Sequence, residues 1–329
     1  MMSVLSIKNL HVTFPTALGD VKAVRGIDID VEASELMGVV GESGSGKSVT
    51  FLAAMGLLPA KAKISGSVTI DGQEMIGASS KVIRSVRGKS LSMIFQDPLS
   101  ALNPVHRVGD QIVEMIQAHS SATDTEAWKR AVELLDIVGI PQPDDRASQY
   151  PHEFSGGMRQ RVVIAMAIAN DPRVLIADEP TTALDVTVQA QILEVIQRIQ
   201  ERFRTAVVLI THDLGVIARV AHRVNVPYAG RNVELATADE LFARPSHPYT
   251  QGLLASLPHE GQRRLTPITG FPPNMLAPPP GCGFAPRCGF VAPECEADVP
   301  GMRALGSSST ACVRAEAVSL ELTRRGSNG

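Results

Sequence analysis

The chain has no apolar run approaching the ~18–20 residues that span a bilayer, and Met1–Lys8 lacks the apolar core of a signal peptide. A cytosolic protein is therefore expected, with any membrane association made through a partner. An excess of one charge is also missing. Lys and Arg total 31 against 34 Asp and Glu, a net −3 at pH 7, so no general attraction to nucleic acid or acidic lipid is expected. Cysteine is absent until residue 282: Cys282, Cys288, Cys295 and Cys312 are the complete set. Proline is skewed the same way, with twelve of 22 after residue 240. Composition thus changes near residues 240–260, and no internal repeat is visible. What is present is 329 residues at 44% hydrophobic content, enough for two domains or one large domain with an appendage.

Gly41-Glu42-Ser43-Gly44-Ser45-Gly46-Lys47-Ser48 reads G-x-x-x-x-G-K-S, the phosphate-cradling Walker A loop. Leu36–Val40 before it suits a buried parallel strand, and Val49–Met55 after it suits a helix. Glycines at Gly41, Gly44 and Gly46 let backbone N–H groups of this loop, through Ser43, Ser45 and Val49, close around phosphate oxygens. Lys47 is expected to reach the β- and γ-phosphates of ATP, and the Ser48 hydroxyl to ligate Mg²⁺.

The rest of the pattern is α/β. Ser6–Phe14 and Ile27–Val31 alternate with period two, as half-exposed antiparallel strands do, and Ile64–Ile70 closes on an Asp71-Gly72 turn. Residues 108–140 read as helical. Ser155 is a good N-cap for a helix running to about Asn170, and a second helical face carries Val188, Ile192, Val195, Ile196, Ile199 and Phe203. Three apolar strands finish on polar residues: Ser90–Phe95 on Gln96, Val174–Ala177 on Asp178 and Glu179, and Ala206–Ile210 on Thr211-His212-Asp213. A mostly parallel sheet binds ligands at the carboxyl ends of its strands, which marks these residues as site candidates. Asp178, about 130 residues after Lys47, suits a Mg²⁺-holding Walker B aspartate, and Glu179 beside it is placed to polarise an attacking water. Ser155-Gly156-Gly157 opens its helix with exposed N–H groups and a hydroxyl suited to an anion.

Phe154-Ser155-Gly156-Gly157-Met158 resembles the signature motif of ABC-type ATPases. Walker A, Gln96 as a Q-loop, the signature, Walker B, Thr182-Ala183-Leu184-Asp185 as a D-loop and His212 as an H-loop follow in family order, over about residues 4–240. The resemblance implies a RecA-like parallel-sheet core, an N-terminal antiparallel β subdomain and a helical subdomain at about residues 100–165, within an ATPase domain of residues 1–245. It implies head-to-tail dimers in which Ser155, Gly156 and Gly157 face the partner's ATP, Gln96 contacts Mg²⁺ and the attacking water, His212 binds the γ-phosphate, and Asp185 works across the interface. Phe14, with His11 behind it, is the best-placed residue to stack on adenine.

Finer features resemble the oligopeptide/dipeptide importers, and among their ATPases the D component: Phe95–Pro104, Tyr150–Met158, Tyr228-Ala229-Gly230, His247-Pro248-Tyr249-Thr250 and Gly281–Cys288. Nickel and glutathione importers share these motifs, so the cargo stays open between peptides and other small solutes. The implied partners are a second, related ATPase, two permeases and an extracytoplasmic solute-binding protein, at the cytoplasmic face of the inner membrane, with no nucleic acid. Ser34 stands where the family usually has Gly, Pro227 replaces the usual residue before Tyr228, and Leu235-Ala236 lies where an acidic–x–Gly run is common. A soluble ABC protein of translation or DNA repair is the rival reading, but those commonly carry two cassettes or long coiled-coil arms. A regulatory subunit without turnover is a further rival, opposed by the presence of Glu179 and His212.

Residues 246–329 form the expected Pro/Cys-rich C-terminal domain. Cys282-x₅-Cys288-x₆-Cys295-x₁₆-Cys312 is not a pair of C-x₂-C zinc knuckles, and disulfides are not expected in a reducing cytosol. Four thiolates suit Zn²⁺ or a [4Fe–4S] cluster, and the spacing does not decide. The family resemblance implies the cluster, with zinc and free thiols as alternatives.

Overall fold

The computed structural model describes residues 3–182, 184–257 and 267–318. Ala183 of the expected D-loop and the ends of the two expected domains, residues 1–2 and 319–329, lie outside the described residues. The strands are β1 (Ser3–Thr16), β2 (Gly19–Glu32), β3 (Leu36–Val40), β4 (Lys63–Ile70), β5 (Gln73–Glu74), β6 (Leu91–Ile94), β7 (Val174–Asp178), β8 (Ala206–Thr211), β9 (Arg223–Tyr228), β10 (Arg231–Thr237), β11 (Arg303–Leu305) and β12 (Ser308–Thr310). The chain divides into two compact units built from interleaved segments. One comprises residues 1–5, 30–36 and 69–210, the other 6–29, 37–68 and 211–329.

In the first unit β6, β7 and β8 pair in parallel, with Leu91 opposite Val174 and Val174 opposite Ala206. Val174, Leu175, Ile176 and Ala177 are all fully buried. A strand covered on both faces has no reason to alternate, which is why these runs read as continuous apolar stretches. The helical stretch 108–140 is two helices, Val108–Gln117 and Asp124–Ile137. The second starts at a capping box: Thr123 N–H donates to Glu126 Oε2 at 2.9 Å while the Thr123 hydroxyl accepts from Glu126 N–H. Its Ala131, Leu134 and Leu135 are fully buried. The signature helix ends at Ala167, short of Asn170, whose side-chain amide instead donates to the carbonyls of Gly88 and Met115 at 3.2 and 2.9 Å. Asn gains more by satisfying the Gly88 turn carbonyl and a carbonyl in the last turn of the Val108–Gln117 helix than by extending a helix it disfavours. Asp71 and Gly72 both have positive φ, 51° and 81°, and close the β4–β5 hairpin as expected. Ser34 sits at φ 59°, its hydroxyl donating to the Arg204 carbonyl at 3.3 Å. The turn that favours glycine is therefore kept, at a cost of roughly 1–2 kcal/mol for a left-handed residue with a Cβ.

In the second unit β2, β1 and β4 are successive neighbours, and β3 pairs in parallel with β9. The sheet continues antiparallel through β10 and β12 to β11. The β3–β9 ladder ends at Asn225, so Pro227 stands beyond it and its missing N–H breaks no bond there. Opposite it the β10 register shifts between Asn232 and Glu234. Glu234 is fully buried: its carboxylate accepts from the Ser246 N–H at 2.7 Å, the Ser246 hydroxyl at 2.8 Å and the His247 N–H at 2.9 Å. These bonds fix the start of the Pro248–Ala255 helix. Among the described residues no helix is long and apolar enough to cross a membrane.

Candidate active site

β3 is buried along its whole length and delivers the chain into the loop Gly41–Ser48, which turns into the Lys47–Ala54 helix. Gly46, the N-cap, has φ 99°, and a Cβ there would lie 2.8 Å from the Ala23 carbonyl oxygen. Glycine is thus required on two counts, backbone angle and space. The Gly230 N–H donates to Ser45 O at 3.0 Å and Thr50 Oγ1 donates to Gly46 O at 2.9 Å. Lys47 is buried, and its Nζ donates to Gly41 O at 2.6 Å and Glu42 O at 2.9 Å. The ammonium is held inside the loop that a phosphate would enter. Among the described residues the Ser45 hydroxyl is buried without a hydrogen-bond partner, while Ser43 and Gly44 are exposed and Ser48 and Val49 half-buried. A glycine-rich loop at a helix start, an unpartnered Ser45 hydroxyl and a folded-back lysine fit an anionic phosphate chain. Phe14 is half-buried on β1 in this unit, and His212, following β8, is exposed. Asp213 next to it caps the Leu214–Val220 helix through Val216 N–H.

The first unit holds the other candidates. Gln96 Nε2 donates to Glu179 Oε2 at 3.0 Å, and Thr182 Oγ1 donates to the same oxygen at 2.9 Å. Glu179 has φ 47°, in the left-handed region, while its own N–H donates to Ile210 O at 2.9 Å. Leaving the strand in this way turns the carboxylate out of the β7 line, and such strain concentrates at functional sites. Asp178, opposite Ile210, is the half-buried last residue of β7. Ser155 caps the twelve-residue Gly156–Ala167 helix; Ser155 and Gly156 are exposed. Gly157 is fixed by packing, since a Cβ there would lie 2.6 Å from Val188 Cγ1. Asp185 is exposed and caps the Val186–Phe203 helix, accepting from Val188 N–H at 2.9 Å. The structure thus joins Gln96 directly to Glu179, and it lodges Lys47 within its own loop.

Comparison with known proteins bears on the family. Residues 24–182 match the ABC transporter family model, and residues 233–295 match the oligopeptide/dipeptide transporter C-terminal region. The fold resembles an ATP-binding cassette dimer solved in a post-hydrolysis state with ADP and Pi (TM-score 0.63, 25% identity, 71% of this chain and 98% of that one). It likewise resembles a bacterial ABC transporter cassette at TM-score 0.63 and 26% identity, covering 71% and 98% of the two chains. The chain is 50% identical over 314 residues to the dipeptide transport ATP-binding protein DppD of Bacillus subtilis, 94% of each chain. It is 48% identical over 301 residues to the oligopeptide transport ATP-binding protein OppD of Escherichia coli, 91% of this chain and 89% of that one. The chain belongs to the oligopeptide/dipeptide transport ATP-binding proteins.

As an ABC ATPase of that family it binds and hydrolyses ATP and uses Mg²⁺. The C-terminal region of this transport ATPase brings its four cysteines together: all of them line one cavity with His247, Phe284 and Phe290. None forms a disulfide. Cys282 N–H donates to Cys295 O at 2.7 Å, and burial pushes the Cys282 and Cys288 thiols up and that of Cys312 to about 11. Among the described residues no three His, Cys, Asp or Glu side chains are grouped to hold a single metal ion. Sequence reasoning passed over two residues of the ATPase, Glu42 and Arg287, which form a bidentate ion pair at 2.6 and 2.9 Å. Glu42 was one of the unconstrained positions of the loop motif, and the Arg287-Cys288 step of the tail was its only signal.

Proposed function

We propose that this ATPase powers an importer of di- or oligopeptides from the cytoplasmic face of the cell membrane. The observation that carries the reading is the presence, in one chain, of the cassette and a match to the oligopeptide/dipeptide transporter C-terminal region. An importer of nickel, glutathione or another small solute would use the same ATPase chemistry. The chain divides functionally near residue 245 into cassette and appendage. Its partners are a second, related ATPase, two permeases and an extracytoplasmic solute-binding protein.

In the working site Lys47 leaves the Gly41 and Glu42 carbonyls for the β- and γ-phosphates, and the loop amides and Ser45 hydroxyl take phosphate oxygens. Ser48, Gln96 and Asp178 are the residues that would hold Mg²⁺, which when bound supplies charge stabilisation across the β- and γ-phosphate oxygens. Glu179, oriented by Gln96 and Thr182, positions and polarises the attacking water. General-base assistance of this kind is worth roughly 10²–10⁴-fold. His212 holds the γ-phosphate and Phe14 stacks on adenine. Ser155, Gly156 and Gly157 face the partner's ATP, which suits the exposure of Ser155 and Gly156. Asp185 acts at the same dimer interface, where Val186 beside it is 84% exposed and apolar. The four cysteines would hold a [4Fe–4S] cluster. Their convergence on one cavity is what supports a shared ligand there, with zinc as the alternative.

Gentle affinity purification from native membranes tests the whole reading. Two multi-spanning permeases, a second ATPase and an extracytoplasmic binding protein should co-purify. Ribosomes or DNA-repair proteins without a permease would overturn it.

A further inference from the structure

Arg287 lies 245 residues after Glu42 in the chain, yet its side chain is only 3% exposed and its paired N–H groups grip both Glu42 carboxylate oxygens. Its other donors are used as well. Nε donates to Thr269 O at 2.9 Å, Nη1 also to the Tyr228 hydroxyl at 3.2 Å, and Nη2 also to Ile268 O at 3.3 Å. Five N–H groups thus meet five acceptors, the full capacity of a guanidinium. The Glu42 main chain is held at the same time: its N–H donates to the Tyr249 hydroxyl at 2.7 Å and its carbonyl accepts from Lys47. Phe284, three residues before Arg287, is buried against Tyr228 and Tyr249, with ring centroids 5.3 and 5.5 Å away. The turn between Cys282 and Cys288 is therefore wedged beneath the phosphate loop.

Glu42 poses a problem for a loop that must accept a polyanion. A carboxylate on the loop repels a triphosphate unless it is neutralised and held aside, and Arg287 does both. We propose that Arg287 is a positioning residue for ATP binding, holding the Glu42 carboxylate neutralised and turned away so that the phosphate loop is open to a triphosphate. The C-terminal appendage thereby takes part in nucleotide binding. This rests on the reading of Gly41–Ser48 as the ATP phosphate loop.

The test measures Mg-ATP affinity of the full chain by equilibrium dialysis, the ATP dependence of hydrolysis, and thermal unfolding without nucleotide. Arg287→Met should weaken ATP binding about tenfold, raising KM more than it lowers kcat, because the carboxylate is left uncompensated. Adding Glu42→Gln to Arg287→Met should restore affinity to within about threefold of wild type, since the charge that needed Arg287 is gone. Arg287→Lys keeps the charge but not the fork and should weaken binding by a smaller factor; it carries the test where the methionine variant does not fold. Wild-type affinity in both Arg287 variants, or a loss that Glu42→Gln does not reverse, would overturn the proposal. A wild-type chain that binds no ATP would overturn the phosphate-loop reading and this proposal with it.

Discussion

Gln96 and Glu179, 83 positions apart, share a 3.0 Å hydrogen bond. The Gln96 amide donates, and the Thr182 hydroxyl donates to the same oxygen. Two elements, the end of β6 and the end of β7, meet at the group that would activate the nucleophile.

Replacing that group tests its role. Glu179→Gln preserves size and one acceptor but removes the charge, and phosphate release should fall by roughly 10²–10⁴-fold. ATP binding should persist, so the variant accumulates bound, unhydrolysed nucleotide. Turnover at the wild-type rate would remove Glu179 from the mechanism.

A second expectation concerns packing at the signature. Gly157→Ala puts a Cβ where Val188 Cγ1 stands at 2.6 Å, and overpacking of this kind costs about 1–3 kcal/mol. Urea unfolding should show the loss, and Val188→Ala in the same chain should recover most of it. A Gly157→Ala midpoint equal to wild type would mean that the two helices are not in such close contact.

Ser155 and Gly156 face solvent at the start of their helix, the arrangement suited to an anion on another subunit. Ser155→Arg should cut hydrolysis by the assembled transporter by roughly 10²–10³-fold, the scale for losing one such donor. ATP binding to the isolated chain, measured by dialysis, should remain. A matching drop in that binding would place Ser155 on its own subunit's nucleotide.

Glu234 offers a stability test. Glu234→Ala would strand three buried donors from Ser246 and His247, a loss of about 2–4 kcal/mol in denaturant unfolding. Burial raises this carboxyl above its ordinary range, against the opposing effect of its hydrogen bonds. The folded state therefore binds its proton more tightly than the unfolded chain does. Its contribution to stability is greatest below the unfolded-state value and declines as pH rises through the raised one. The wild-type minus Glu234→Ala difference should shrink over that window. A difference that grows instead would mean that the carboxyl titrates below its ordinary range.

Much of this was legible in the sequence because local rules and tertiary demands coincide there. The β3 run, the Gly46 turn, the Ser155 cap and the strand-end Asp178 each follow from short-range chemistry. Ser34 looked like a departure from the family, yet it takes the left-handed angle a glycine would have taken. The helical stretch 108–140 is divided before Thr123, where the Thr-x-x-Glu box starts the second helix, and the apolar stripe alone does not mark that boundary. Hidden from local reasoning were contacts between distant segments. Glu42 with Arg287, and Glu234 with Ser246, are ordinary surface letters until the chain brings each pair together.

β10 takes its outer partner from β12, through Glu234 opposite Thr310 and Leu235 opposite Ser309. During synthesis β10 is complete some seventy residues before that partner is made. Through that interval its outer row of amides and carbonyls faces whatever is nearby, and unpaired edges of this kind recruit other chains. A nonsense change or proteolytic cut ahead of Arg303 would make the interval permanent. A chain that lacks the short C-terminal hairpin can thus carry every nucleotide motif and still leave the outer edge of β10 unpaired at Glu234 and Leu235.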